Sequence, residues 1–111
     1  VPMPRHPQLV RICHAILKDP AQNDVLDDWA VAAGMSRRTF TRAFRNETGV
    51  TFATWRQNVR LIEAMSRLST GQSVTAVAFD VGYSSPSAFT AMFRRAFGVP
   101  PTQYFVETPA H

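Results

Sequence analysis

The sequence predicts an all-α fold of about seven helices, forming two helix-turn-helix units joined by a long linking helix. Three observations carry that prediction. Apolar residues recur at helical spacing almost from end to end, and no segment sustains strand alternation. Glycine, proline and small hydroxyl residues punctuate the pattern where helices should start and stop. The second half of the chain also repeats the first at a nearly constant offset.

The opening "VPMPRHP" (1–7) holds three prolines in seven residues and reads as a linker remnant cut from a longer chain. Leu9, Ile12, Cys13, Ile16 and Leu17 then share one helical face, and that helix stops near Pro20. Asp24 is placed to cap a second helix, with Asp27 three residues on completing a capping-box-like pair. That helix turns Leu26, Trp29, Ala30 and Ala33 inward and ends at Gly34. Ser36 caps a third helix (36–48), which stops before Gly49. Residues 8–50 make up the first unit.

Thr51 opens the linking helix (51–70 with its end), offering Phe52, Trp55, Val59, Ile62, Met65 and Leu68 for burial. "TGQS" (70–73) breaks it, and Ser73 caps a fifth helix whose inner stripe is Val74, Val77, Ala78 and Val81. Gly82 ends that helix. Ser85 followed by Pro86 is a start signal, because proline suits the first helical turn, where its missing N–H is not needed. The sixth helix runs to Gly98, and "VPPTQYF" begins a short seventh. The second unit is 71–105, with a loose tail at 106–111.

The repeat is legible residue by residue. Gly34 and Gly82 lie 48 positions apart, as do Ala30 and Ala78. Past the turn the offset becomes 49: Ser36 with Ser85, Phe40 with Phe89, Phe44 with Phe93, Arg45 with Arg94, Gly49 with Gly98. One residue is inserted in the second turn and the rest keeps register. A helix pair with glycine in a tight turn is how a helix-turn-helix is built, its second helix being the reader, although helix pairs also build inert bundles.

At 100° per residue, Phe40, Ala43, Phe44 and Glu47 fall on the inner side of the third helix. Arg38, Thr41, Arg42 and Arg45 fall on the outer side, with no acid among them. In the sixth helix Phe89, Met92 and Phe93 turn inward, and Ser87, Thr90, Ala91 and Arg94 outward. A merely solvated face mixes signs or carries acid–base pairs four apart; clustered arginines weaken an isolated helix by a few tenths of a kcal/mol. Such a cost without local return marks a binding face.

Composition agrees. The net charge is +4 and the pI about 10.2, and Lys18 is the one lysine among twelve basic residues. Arginine presents a planar fork that suits phosphates and guanine edges, so the balance points to nucleic acid. The lone Cys13 leaves no intramolecular disulfide or multi-cysteine zinc site and reads as a buried core thiol. The three histidines show no metal-ligand spacing, so neither metal nor cofactor is expected. No apolar run approaches the roughly 20 residues that span a bilayer, and no signal peptide is evident. Asp27 and Asp28 are adjacent on their helix and suit its N-terminal dipole better than paired-carboxylate catalysis. With no nucleophile–base arrangement and no glycine-rich phosphate loop, an enzyme is not expected.

"SRRTFTRAFRNETGVTFATW" followed by "SVTAVAFDVGYSSPSAFTAMFRRAFGVPPTQY" resembles the DNA-binding domain of the AraC/XylS family of bacterial transcription regulators. The resemblance covers about residues 9–105, and its most specific part runs from "VAFDVGYSSPSAF" through "FRRAFGVPP". It implies two helix-turn-helix readers in successive major-groove segments of double-stranded DNA, in a cytoplasmic regulator. It also implies a separate sensing and dimerising domain before "VPMPRHP", and RNA polymerase as a further partner. A linking helix of about 19 residues measures roughly 28 Å, which suits readers about one helical repeat, roughly 34 Å, apart.

Carried over position by position, the resemblance assigns base contacts to Arg38, Thr41 and Arg42 in the first unit, and to Ser87, Thr90 and Ala91 in the second. Arg38 and Arg42 suit bidentate pairing with guanine O6 and N7, and the threonines a thymine methyl or a phosphate. Arg45 and Arg94, farther along the same faces, are assigned to phosphate, and Arg37 and Arg95, which flank the faces, to phosphate or to solvated surface. Ser36, Thr51, Ser85 and Thr102 mark helix starts, whose unpaired amides suit further phosphates. Trp29, Trp55, Phe79 and Tyr83 read as core or turn packing, not base-stacking platforms. Pro86 and Ala91 stand where family members often carry long polar side chains, so the first unit is expected to dominate base readout, the second acting through phosphates and DNA shape. Phe105 stands where the family ending "P–x–x–Tyr–Arg" has arginine. The alternative is a helical adaptor that docks an acidic protein surface through the same basic face.

Overall fold

The computed structural model describes residues 1–106, with the side chains of Phe105 and Val106 left aside. Seven helices order these residues: α1 (Pro7–Lys18), α2 (Leu26–Ala32), α3 (Arg37–Thr48), α4 (Phe52–Ser69), α5 (Val74–Asp80), α6 (Pro86–Phe97) and α7 (Pro101–Val106). No strand occurs among the described residues. The chain divides into two units, Val1–Val59 and Arg60–His111, and the division falls inside α4. The tail expected at 106–111 lies, from residue 107 on, outside the described residues, as does the side chain of Phe105.

Each unit closes around its own core. In the first, Leu9, Ile12, Cys13 and Ile16 of α1 meet Trp29 and Ala30 of α2, Phe40 and Phe44 of α3, and Phe52, Trp55 and Val59 of α4. The rings of Phe40 and Phe44 each meet Phe52 edge-on at 5.3 Å between centroids, and Phe44 meets Trp55 at 5.7 Å. Edge-to-face pairs at such distances add about 0.5–1.5 kcal/mol beyond the area they bury. The second core repeats the plan with Val77, Ala78, Val81, Phe89, Met92 and Phe93, and Tyr104 of α7 closes on Phe93 at 5.7 Å.

Both turns end their first helix in the same way. Met35 N–H donates to Ala30 O at 2.9 Å and Gly34 N–H to Val31 O at 2.9 Å. Tyr83 N–H donates to Ala78 O at 3.0 Å and Gly82 N–H to Phe79 O at 3.1 Å. This double bond pattern closes a helix when the residue after its cap is left-handed. Gly34 and Gly82 take φ of +70° and +100°, and among the described residues only glycines have positive φ.

Four sequence expectations are corrected. Leu17, assigned to the buried face of α1, is 42% exposed, because the core is filled by its neighbours at 9, 12, 13 and 16. Asp24 does not cap α2: its carboxylate accepts from Gln22 Nε2 at 2.7 Å, its carbonyl accepts from Trp29 Nε1 at 3.1 Å, and Val25 is the cap residue without a side-chain bond. Ile62 is 57% exposed, and Leu61 and Ala64 are buried in its place. Here one helix feeds two cores. The stripe Phe52, Trp55, Val59 serves the first and Leu61, Ala64, Leu68 the second, and the two-residue step between them breaks the helical period. Phe79, expected in the core or turn, is 52% exposed on α5. Trp29 and Trp55 are buried and Tyr83 is half-buried against Phe89.

The opening segment is also more than a tether. Pro4 is buried, Trp55 Nε1 donates to Pro2 O at 2.6 Å, and the N–H groups of Arg5 and His6 donate to Glu47 Oε1.

Candidate nucleic-acid interface

α3 is positioned from beneath and from its ends. Phe40 and Phe44 are fully buried, which fixes the rotation of the helix about its axis. Ser36 Oγ accepts from Thr39 N–H at 3.1 Å, and Gly49, at φ +82°, ends the helix with its N–H donating to Arg45 O at 2.8 Å. With its inner side committed, the helix turns Arg38, Thr41, Arg42 and Arg45 outward, and all four are exposed. Together with Arg37 they line a shallow surface hollow of about 550 Å³, walled mostly by the aliphatic stems of the arginines.

The charge on this face is uncompensated. Among the described residues no acid lies within ion-pair distance of Arg38, Arg42 or Arg45. Arg37 differs: its Nε lies 3.6 Å from Asp27 Oδ1, with both side chains about two-thirds exposed. A pair so open to water is worth at most about 1 kcal/mol, so it steers Arg37 without disarming it. Asn46, one helical turn beyond Arg42, is exposed beside the same face. Sequence reasoning passed over it, although its spacing from Arg42 and its amide, which matches an adenine edge, were both available.

The second unit builds the same frame with weaker equipment. Ser85 Oγ accepts from Ala88 N–H at 3.1 Å, Pro86 occupies the first helical position, and Phe89, Met92 and Phe93 are buried. Ser87, Ala91, Arg94 and Arg95 are exposed, whereas Thr90 is half-buried. Two arginines stand at the end of this face and none at its start. Behind it the guanidinium of Arg60 sits 5.7 Å from the Tyr83 ring centre, a cation–π contact. Burial pushes the Tyr83 hydroxyl above its usual range.

The helix starts are engaged in their own capping. Ser36 Oγ donates to Thr39 Oγ1 at 3.0 Å, and Thr51 Oγ1 donates to Thr54 Oγ1 at 3.0 Å while accepting from Thr54 N–H. What these starts offer a phosphate is therefore chiefly backbone N–H, not the hydroxyl. Thr102 is not a cap: it is the second residue of α7, exposed, and the carbonyl at the start of α7 belongs to Pro100.

No group of three or more His, Cys, Asp or Glu is arranged to hold a metal among the described residues. Cys13 is fully buried, and burial pushes its thiol up to about 12. Among the described residues no helix is long and apolar enough to cross a membrane.

Residues 29–106 match the family described as the helix-turn-helix domain. Among curated relatives, the chain is 36% identical over 104 residues to the HTH-type transcriptional regulator NimR of Escherichia coli K12, covering 94% of this chain and 38% of that protein. The DNA-binding domain of AdpA, a global transcriptional factor solved in complex with a target DNA, superimposes with a TM-score of 0.81 at 31% identity, covering 91% of this chain and 96% of that one. The C-terminal domain of AraT, a response regulator from Geobacillus stearothermophilus, gives a TM-score of 0.84 at 27% identity, covering 95% and 93%. The chain spans 38% of the length of NimR and 31% of RipA from Corynebacterium glutamicum.

Proposed function

We propose, for a chain that belongs to the AraC-type helix-turn-helix family, that it is the double-stranded-DNA-binding domain of a bacterial transcription regulator and reads its site chiefly through α3. The observation that carries this reading is the outer face of α3. Three exposed arginines stand there with no acidic partner among the described residues, on a helix whose rotation is fixed by buried Phe40 and Phe44. The likeness to a domain solved on its target DNA supports DNA as the partner.

On this reading Arg38 and Arg42 reach guanine edges, and Thr41 meets a thymine methyl or phosphate. Ser87, Thr90 and Ala91 give the second unit a thinner base contact. Arg37, Arg45, Arg94 and Arg95 hold phosphates, with the amides at Ser36, Thr51, Ser85 and near Thr102 adding neutral donors. The units occupy successive major-groove segments. The curated relatives are much longer than this chain, which supports a full regulator with its own sensing and dimerising domain. RNA polymerase is its further partner, and the cytoplasm is where it works.

Salt titration with an arbitrary duplex tests the binding mode. Each phosphate neutralised contributes about −0.9 to the slope of log K against log salt, so four arginines give a slope of about −3 to −4. A slope near zero, or tight binding to an acidic protein with none to duplex DNA, would instead support the adaptor.

A further inference from the structure

We propose that Glu47 is a positioning residue for the first recognition helix: it holds residues 2–6 as a strap that ties the last turn of α3 to α4. The proposal rests on the DNA-binding reading above. Glu47 stands in the last turn of α3, beside carbonyls that carry the helix's partial negative charge. An acid there weakens its own helix end, and among the described residues no ion pair offsets it. The return lies elsewhere in the fold. Glu47 Oε1 accepts from Arg5 N–H at 2.6 Å and from His6 N–H at 2.8 Å. These two amides hold its carboxyl below the usual range.

The same segment is gripped a second time. Trp55, on α4 and fully buried, donates its indole N–H to Pro2 O at 2.6 Å, and Pro4 between the two grips is buried. Downstream, His6 Nδ1 accepts from Gln8 N–H at 3.1 Å, so the strap passes directly into α1 as its cap. The bonds join residues 41, 42 and 53 positions apart, all within the first unit. Residues 2–6 therefore bridge α3 and α4 across the short turn at 49–51.

Amide exchange and DNA binding of the full chain test this with Glu47→Ala, Glu47→Gln and a variant that begins at Pro7. Glu47→Ala is expected to speed exchange at the Arg5 and His6 amides and to weaken binding about three- to tenfold, the worth of one or two net hydrogen bonds. The loss should follow the half of the duplex read by the first unit. Glu47→Gln keeps an acceptor oxygen in place and should recover part of it. Adding Glu47→Ala to the chain that begins at Pro7 should cost nothing more, because the partner amides are already gone. Fast exchange with unchanged binding would overturn the positioning role alone, as would additive losses. A wild-type chain that binds no duplex would overturn the DNA reading and the role with it.

Discussion

Ser36 and Ser85, 49 positions apart, perform the same act at the same distance: each Oγ accepts the N–H three residues on, Thr39 and Ala88, at 3.1 Å. Each starts the helix that carries its unit's outer face. Replacing either by alanine removes a bond that costs about 0.5–2 kcal/mol when lost at a helix start. Ser36→Ala and Ser85→Ala should each lower stability by about that much in urea melts, and glycine should cost only a few tenths of a kcal/mol.

Gly34 and Gly49 bracket the reader of the first unit at φ +70° and +82°. A Cβ added at either meets nothing within 4 Å, so the cost of alanine is conformational and not steric. Each alanine variant should lose about 1–2 kcal/mol, the strain of a left-handed residue bearing a side chain. Asparagine, which tolerates this region better, should lose less in the same denaturation series.

Arg42 and Arg45 share a face but have different tasks on this account. Arg42→Ala should cost about 1–3 kcal/mol of discrimination at one guanine and relax preference there. Arg45→Ala should weaken all sequences alike and make the salt slope shallower by about 1. Binding isotherms for two duplexes at three salt concentrations separate the two behaviours.

Acid should release the strap before the cores. The Glu47 carboxyl titrates below its usual value because Arg5 and His6 donate to its charged form. The stability it contributes is thus fully present above about pH 4.5 and is lost as pH falls further. The midpoint of thermal unfolding should drop more steeply on acidification in the wild type than in Glu47→Gln, which has no proton to take up.

Much of this was legible in the sequence because the residues involved obey local rules. Glycine at the turns, serine before each reader and phenylalanine at four-residue spacing dictate the helix pairs and the face left outside. Four features escaped, and for two of them, Ile62 and the opening segment, the reason is dependence on partners distant in the chain. Asp24 looks like a cap until Gln22 and Trp29 occupy it. Ile62 continues a stripe that ends because α4 enters a second core. Phe79 sits at a helical position that reads as inner but stays exposed. "VPMPRHP" reads as linker by composition, whereas Glu47 and Trp55 hold it in place.

Selection of the chain on random duplex DNA at about 150 mM salt, repeated with Arg42→Ala, shows whether α3 leads the readout. An enriched motif with guanines in one half, and loss of that guanine preference in the variant, is the expected result. Retention without any motif, or a motif that Arg42→Ala leaves unchanged, would contradict readout led by α3.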